Sequence, residues 1–265
     1  MKRAYVDIPE GQIHYRIEGK GEPLLLLHSA VGSSDEYSRA IPFLSKKYCA
    51  IAMDYLGHGK SDPAPFQYQM LDHSKTALSF MDAMGIKKAY IMGKSAGSNV
   101  AAEIAINWPE RVNKLIMSSA GYFPDPSEGI DMSNHPDFTS FTSRVDIKKD
   151  GSHLMEWWRR AALWGGPLDI IEDRVLEYIQ AGPRGEEIHW ASRTYDLKSR
   201  LPLIKCPTLV LSGTQDAFYA VAAKIKGFIP NGKLTVIENG SIYMSRIMPK
   251  EFAGAILEFL NAPDK

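Results

Sequence analysis

Five continuous apolar runs divide the chain, and they limit its fold more than any other feature of the sequence. Each run is short and too uniformly apolar for a strand with one face in water, so each predicts a strand buried on both faces. The segments between them carry the apolar spacing of amphipathic helices. This alternation predicts an α/β fold with a doubly wound, mostly parallel sheet. The runs are PLLLLH (23–28), CAIAMD (49–54), AYIMG (89–93), KLIMSS (114–119) and PTLVLSG (207–213).

The two ends of the chain extend this pattern. Polar and apolar residues alternate on both sides of Gly11, which predicts a leading β-hairpin. Near the other end, KLTVIE (233–238) predicts a last strand. The apolar residues after Pro249 then share one face of a final helix.

The stretch 122–200 breaks the alternation. It begins rich in Pro, Gly and Asp, then becomes helical in pattern, and no buried strand is obvious in it. We therefore predict a helical cap over 122–200, inserted into an α/β core formed by 1–121 and 201–265. Aromatic side chains in the cap either pack it against the core or line an apolar substrate pocket. The tryptophans concerned are Trp157, Trp158, Trp164 and Trp190.

Charge and composition restrict the partners. Lys+Arg and Asp+Glu both number 31, so no net field would attract nucleic acid or an anionic membrane, and a small-molecule substrate or ligand fits better. The N-terminus lacks an apolar signal region, and no run approaches the roughly 18 apolar residues of a membrane span. We expect a cytoplasmic protein. Cys49 and Cys206 are too few and too distant for a disulfide framework or a zinc site, and no metal or cofactor is implied. The sequence carries no signal of oligomeric state.

The segment GKSAG (93–97) follows a predicted strand and opens a helical pattern. In such a strand-to-helix elbow, Ser95 takes a strained conformation that lifts its hydroxyl above the sheet, while Gly93 and Gly97 avoid collisions with neighbouring backbone. The backbone N–H of Ala96 then lies at the start of the helix. The letters GKS also end a phosphate-binding loop, but that motif needs glycine at position 88, where the chain has Lys88.

Four motifs together resemble the α/β-hydrolase fold superfamily, in its capped group of esterases, lactonases and C–C bond hydrolases. They are LLLLHSAVGSS (24–34), MDYLGHGKSD (53–62), GKSAG (93–97) and CPTLVLSGTQD (206–216). The match covers nearly the whole chain outside the cap.

The resemblance implies that Ser95 is the nucleophile and Asp216 the acid of a triad, with the N–H groups of Ala30 and Ala96 forming the oxyanion hole. It also implies structural roles for His28 and His58, although Ser29 stands where relatives usually have glycine. An Asp at this strand end could instead cap the following helix. Asp125 is a more distant candidate for the acid.

The family's third catalytic residue is missing. The resemblance predicts a histidine in the loop after the last strand, about seven residues before the proline that starts the final helix. Counting back from Pro249 gives Ile242, and counting from the preceding Asn-Gly gives Ser241. Neither side chain can take a proton from a serine hydroxyl near neutral pH.

Several explanations remain open for this gap. A histidine from elsewhere could substitute, with His28, His153 and His189 as candidates; Asp216 or a bound water could handle the proton; or the loop register could be different. Alternatively, the chain is an inactive ligand-binding protein on a hydrolase scaffold, or a hydrolase whose base has been replaced by mutation. Lys94 is predicted to pair with an acidic group or reach solvent rather than to serve as the base.

The sequence therefore favours a serine hydrolase with an incomplete triad, acting on a small ester, lactone or related carbonyl substrate. The alternative is a catalytically impaired or non-enzymatic ligand-binding protein.

Overall fold

The fold is built on one sheet of eight strands, which carries the order β1-β2-β4-β3-β5-β6-β7-β8. A computed structural model describes residues 1–122, 124–131 and 145–263. The first two strands form an antiparallel hairpin, β2 pairs antiparallel with β4, and all later pairings are parallel. The strands are β1 (Lys2–Ile8), β2 (Gly11–Glu18), β3 (Pro23–Leu27), β4 (Cys49–Met53), β5 (Ala89–Lys94), β6 (Val112–Ser118), β7 (Thr208–Gly213) and β8 (Gly232–Ile237).

The predicted α/β class and doubly wound arrangement are confirmed. All five apolar runs form strands, with ends that differ from the predicted ones by one or two residues. Alternate side chains of β3 enter different cores: Leu25 and Leu27 pack on one face of the sheet, Leu24 and Leu26 on the other. Both faces are therefore buried, which explains why these strands show no polar alternation.

Helices cover both faces of the sheet. One apolar core joins the sheet to α2, α3 and α8, and the other joins it to α1 and α10. The helices are α1 (Ile41–Leu44), α2 (Met70–Ala83), α3 (Ala96–Asn107), α4 (Ser152–Leu163), α5 (Leu168–Ala181), α6 (Glu187–Arg193), α7 (Leu197–Arg200), α8 (Tyr219–Phe228), α9 (Met244–Ile247) and α10 (Pro249–Asn261).

Four helices, α4 to α7, lie between β6 and β7, in the stretch predicted to form the cap. Within the described part of that stretch no strand occurs. Trp157 and Ile188 from these helices join the same apolar core as the sheet residues Leu25 and Leu27. Across the described ranges, no helix combines the length and the apolar character needed to cross a membrane.

Candidate active site

Ser95 lies at the sharp turn between β5 and α3. Its backbone has φ 51° and ψ −119°, a conformation that is strained for a residue with a side chain. Its N–H donates to the carbonyl of Ser118 on the neighbouring strand at 2.9 Å. A Cβ on Gly93 would lie 2.0 Å from the carbonyl oxygen of Gly97, and one on Gly97 would lie 2.4 Å from that of Leu27. Only glycine fits at these two positions, so the sequence motif and the turn agree.

Ser95 borders two small cavities. The first, here the Ala30 cavity, lies between the loop after β3, the helices α5 and α6 and the loop after β8, and the second, the Gly121 cavity, lies beside the loop after β6. Each has a volume of about 20 Å³, which is room for about one water molecule. Trp164 and His189 border both cavities with Ser95.

The two predicted oxyanion donors lie close to Ser95 in different ways. Ala96 follows it in the chain, and Ala30 borders the same cavity. Ala30 borders the Ala30 cavity, and its carbonyl accepts a hydrogen bond from Arg174 Nη2 at 3.0 Å. The next residue, Val31, has φ 52°, so this loop is also held in an unusual conformation. Ala96 is the first residue of α3, where backbone N–H groups have no partner within the helix. A helix start of this kind favours negative charge.

A buried ion pair joins the elbow to the oxyanion loop. Lys94 Nζ contacts Glu36 Oε1, and both side chains are almost fully buried. The prediction that Lys94 pairs with an acidic group is confirmed. Glu36 also accepts from the N–H of Ser29 at 2.7 Å and from its hydroxyl at 3.0 Å. Burial alone would raise the pKa of Glu36, but the cations Lys94, Arg174 and Arg246 lower that pKa to about 2.

Asp216 is buried in the middle of the loop between β7 and α8. Its Oδ2 accepts from the Ser119 hydroxyl at 2.5 Å, and its Oδ1 accepts from the Phe218 N–H at 2.9 Å, just before α8. Asp216 thus contacts the residue before α8 and the end of β6, but its side chain does not form the helix-capping hydrogen bond that was the alternative role. Asp125, the more distant candidate acid, is exposed and accepts from the Ser127 N–H at 2.8 Å.

Burial raises the pKa of Asp216, and its hydrogen bonds from Ser119 and Phe218 offset only part of that rise. Because the folded pKa lies above the unfolded one, the folded state gains stability from the protonated acid at low pH and loses it as pH rises through the folded pKa. We therefore expect Asp216→Asn to raise the melting temperature relative to wild type at pH 7. The difference should shrink at pH 4.

Thermal unfolding of both proteins at the two pH values measures this effect. Asp125→Asn serves as the control. Hydrogen bonds from Ser127 lower the pKa of that exposed carboxyl, so replacing the Asp125 carboxylate should not raise the melting temperature at pH 7. A melting temperature of Asp216→Asn below wild type at both pH values would contradict the interpretation.

The loop after β8 approaches the loop of Asp216. A Cβ on Gly213 would lie 2.1 Å from the Gly240 carbonyl oxygen, which accepts from the Gln215 N–H at 2.9 Å. Ile242 is buried and borders the Ala30 cavity with Ser95. The Ser241 hydroxyl instead accepts from the N–H of Tyr243 at 3.2 Å. This placement favours Ile242 over Ser241 as the position of the absent histidine.

The three candidate substitute bases have different surroundings. His28 is fully buried, its Nδ1 donates to the Ser29 carbonyl at 2.7 Å, and its Nε2 accepts from the Tyr55 N–H at 3.1 Å. Burial lowers its pKa. His153 Nδ1 accepts from the Lys148 N–H at 3.1 Å, beside a cavity formed by cap residues. The ring nitrogens of His28 are thus occupied by backbone groups, and His153 faces a different cavity from Ser95.

His58, expected to organise its loop, is also buried. Its Nδ1 lies 3.3 Å from the Leu56 carbonyl and its Nε2 lies 3.2 Å from the Gly185 carbonyl of the cap stretch. Burial lowers its pKa to about 4. In its neutral form the imidazole carries one N–H, so it donates to only one of these two carbonyls at a time.

His189 is placed differently from these histidines. It lies on α6, and its Nδ1 is 2.5 Å from Glu186 Oε2. Glu186 in turn pairs with Arg160 Nη1 at 3.2 Å. His189 thus combines a carboxylate partner with a place beside Ser95.

Of the four cap tryptophans, Trp164 borders the cavities of Ser95. Trp157 is buried in the core shared with the sheet, and Trp158 packs against that core. Trp190 is 46% exposed. Trp164 is therefore the tryptophan whose position suits a substrate pocket.

Sequence reasoning missed two charged residues of the site, Glu36 and Arg174. Glu36 lies just after the motif LLLLHSAVGSS (24–34), Arg174 lies in the stretch 122–200 outside all four motifs, and both are buried. Arg174 borders the Ala30 cavity and pairs with Glu177 at 2.6 Å. An Arg inside the apolar pattern of DIIEDRVLEYI was the available signal, since a buried arginine requires anionic or carbonyl partners.

Comparisons with known proteins agree with this fold. A sequence profile for the alpha/beta hydrolase fold matches residues 22–241. A 2-hydroxy-6-oxononadienedioate/2-hydroxy-6-oxononatrienedioate hydrolase of Pseudomonas putida is 30% identical over 94% of this chain and 91% of its own length. A 2-hydroxy-6-oxo-6-phenylhexa-2,4-dienoate hydrolase of Comamonas testosteroni is 27% identical over 96% of this chain and 93% of its own.

Solved structures show the same fold at lower identity. The enol-lactonase of Burkholderia xenovorans LB400 superposes with a TM-score of 0.78 at 18% identity, over 98% of this chain and 100% of that one. A bromoperoxidase of Bacillus anthracis gives 0.80 at 23% identity, over 98% of this chain and 100% of that one. With the elbow, the sheet order and a profile match over most of its length, the chain belongs to the alpha/beta hydrolase fold family.

Proposed function

We propose that this protein is a serine hydrolase that attacks a small ester, lactone or related carbonyl substrate with Ser95. The observation that carries the proposal is the strained backbone of Ser95, at φ 51° and ψ −119°, in a residue that borders two cavities. Strain of this size persists only where surrounding structure enforces it, and it is common at catalytic sites.

The oxyanion formed by attack on the carbonyl carbon would be stabilised by the N–H groups of Ala30 and Ala96. Donors of this kind act on charge that develops in the transition state, so they accelerate the reaction rather than tighten substrate binding. The start of α3 adds the positive end of its dipole at the same point. Asp216 is the acid of the site, and the imidazole that would normally separate it from the serine is missing.

The substrate is proposed to carry an apolar part and an anionic or strongly polar group. Trp164 and Ile242 offer apolar surface beside Ser95, while Arg174 offers a buried cation. The two bacterial relatives are named as hydrolases of 2-hydroxy-6-oxo compounds, which combine a carbonyl group with one or two carboxylates. That chemistry supports a carbonyl substrate with a carboxylate. The cavities hold about one water each, so a substrate would require the cap to move away from the sheet.

A second function is favoured by one observation: positions 241 and 242 are Ser and Ile. Loss of a triad histidine typically costs on the order of 10⁴- to 10⁶-fold in turnover, although oxyanion stabilisation and binding retain roughly 10³- to 10⁴-fold over water. In this second proposal the protein binds its ligand between cap and elbow without cleaving it.

Turnover of p-nitrophenyl acetate separates the two functions. For a hydrolase we expect slow release of p-nitrophenol above the buffer rate, and its loss in Ser95→Ala. Absence of turnover in the wild type, together with no reaction of an activated-serine probe, supports the ligand-binding function.

Ser98→Ala is the matched control for this experiment. Ser98 lies one turn further along α3, and its hydroxyl donates to the carbonyls of Gly93 and Ser118 at 2.9 and 3.0 Å. Turnover should persist in this variant. Equal loss in both serine variants would mean that the effect comes from a damaged elbow and would count against Ser95 as the nucleophile.

A further inference from the structure

We propose that His189, delivered from the cap, is the base that activates Ser95, and that Glu186 is its positioning residue. The inference rests on the proposed hydrolase function. It assigns the missing proton acceptor to a helix outside the usual histidine loop.

The first support is position. Among the histidines within the described ranges, His189 alone borders either cavity of Ser95, and it borders both. It lies on α6 (Glu187–Arg193), the cap helix that also presents Ser192 to the Gly121 cavity. A base must reach hydrogen-bond distance of the serine hydroxyl, and a shared cavity wall is the arrangement that permits this.

The second support is the hydrogen bond that the His189 ring makes through Nδ1. Nδ1 of His189 lies 2.5 Å from Glu186 Oε2. In the neutral imidazole a carboxylate at this distance holds the proton on Nδ1, because a carboxylate can only accept. Nε2 is then the unprotonated nitrogen, which is the tautomer that a general base requires.

The third support is the environment of Glu186. Its carboxylate is buried, and its second oxygen, Oε1, pairs with Arg160 Nη1 at 3.2 Å. Burial would raise the pKa of Glu186, but His189 and Arg160 lower it, so the carboxylate stays ionised. Glu186 therefore supplies a fixed negative charge that orients the imidazole of His189.

The proposed reaction balances with these residues. As Ser95 Oγ bonds to the carbonyl carbon, its proton passes to His189 Nε2 and the carbonyl electrons move to the oxyanion. The oxyanion then collapses, the bond to the leaving oxygen breaks, and the imidazolium returns the proton to that oxygen. Water attacks the acyl-enzyme with His189 again accepting a proton, which Ser95 recovers as the acid product leaves.

The rate of labelling by a fluorophosphonate tests this role in the full-length protein. A general base typically contributes about 10²- to 10⁴-fold, so we expect His189→Ala to slow labelling of Ser95 by about 100-fold. His189→Gln, which keeps a polar side chain of similar length, should slow it to the same degree. If His189→Ala does not fold, the labelling rate of His189→Gln serves as the test.

His153→Ala is the matched control. His153 is also a cap histidine, its ring centroid lies 5.1 Å from that of Trp157, and it borders a different cavity from Ser95. This variant should label at the wild-type rate. An equal loss in His153→Ala would overturn the proposal, because it would trace the effect to the cap as a whole.

Glu186→Gln tests the positioning role. The amide removes the negative charge, so we expect at least a tenfold slower labelling rate in the wild-type background. In the His189→Ala background the same change should have no effect, because Glu186 acts through the imidazole. Equal effects in both backgrounds would mean that Glu186 only supports the cap, and the proposal would fail.

The outcomes separate this inference from the proposed function. Labelling of wild type at Ser95 with an unchanged rate in the His189 variants overturns the inference alone. Failure of wild type to label and to turn over substrate overturns both.

Discussion

Replacing Ile242 with histidine is expected to raise p-nitrophenyl acetate turnover at least tenfold, since a general base is typically worth about 10²- to 10⁴-fold. Ile242 borders the Ala30 cavity with Ser95, and its loop meets that of Asp216 where the Gln215 N–H donates to the Gly240 carbonyl. An imidazole at this position would share a cavity wall with Ser95, on a loop that contacts the loop of the buried Asp216. Steady-state kinetics of the purified variant measure the gain.

Two comparison variants sharpen this prediction. Ser241→His should give no gain, because the Ser241 hydroxyl contacts the Tyr243 N–H and Ser241 does not border the two described cavities of Ser95. Asp216→Asn combined with Ile242→His should lose most of the gain, because an acid must hold the imidazole in its productive tautomer. A gain in turnover from Ser241→His alone would mean that the expected histidine position is 241 and not 242. No gain from either histidine, in the wild-type or the His189→Ala background, would contradict the proposed site.

The gain should be larger still in the His189→Ala background. There the proposed cap base is gone, so the new histidine acts against a slower starting rate.

Breaking the buried pair of Lys94 and Glu36 is expected to lower the free energy of unfolding by about 3–5 kcal/mol, because either single change leaves one buried charge without its partner. The pair is almost fully buried on both sides. Glu36 also holds the Ser29 N–H and hydroxyl, so its loss would loosen the oxyanion loop as well. Urea unfolding of Lys94→Met and Glu36→Gln measures the two losses.

The double variant tests whether the two losses share one cause. The double variant should lose less free energy of unfolding than the sum of the two single losses, because neither charge is then left alone in the core. Arg39→Met is the matched control: Arg39 pairs with Asp169 at 2.9 Å, but both side chains are about half exposed, so we expect a loss below about 1 kcal/mol. A loss of that small size for Lys94→Met would contradict the structural role of the pair.

The loss of folding stability at low pH follows from the lowered pKa of Glu36. This pKa is about 2 in the folded protein. A depressed carboxyl pKa contributes stability above the unfolded pKa and loses it as pH falls through the folded one. We expect wild type to lose stability between about pH 4.5 and pH 2, and Glu36→Gln to lose less over the same range. Thermal unfolding across this range measures the difference, and equal losses would contradict it.

The elbow and the sheet were predictable because their signals are local. A strand buried on both faces must be apolar throughout, and Gly93 and Gly97 are required by backbone contacts that any sequence with this turn must respect. The strand β7 within CPTLVLSGTQD (206–216) followed from the same kind of signal. Each of these signals can be recognised within a short stretch of the sequence.

The charged partners of the site were not predictable in the same way. Glu36 meets Lys94 across 58 positions of sequence, and Arg174 meets the Ala30 carbonyl across 144. Such pairs arise only when separate segments fold together, and nothing beside Glu36 in the sequence marks it as buried. The cap is similar, because four tryptophans looked equivalent and only the packing of α4, α5 and the loop after β8 brings Trp164 to the cavity.

The central claim is that the hydroxyl of Ser95 is a nucleophile presented above the parallel strands. Reaction of the wild-type protein with a fluorophosphonate, followed by peptide mapping by mass spectrometry, tests it most directly. We predict one adduct, on the peptide that contains Ser95, retained in Ser98→Ala and lost in Ser95→Ala. An unmodified Ser95 after prolonged reaction, or an adduct elsewhere that persists in Ser95→Ala, would contradict the claim.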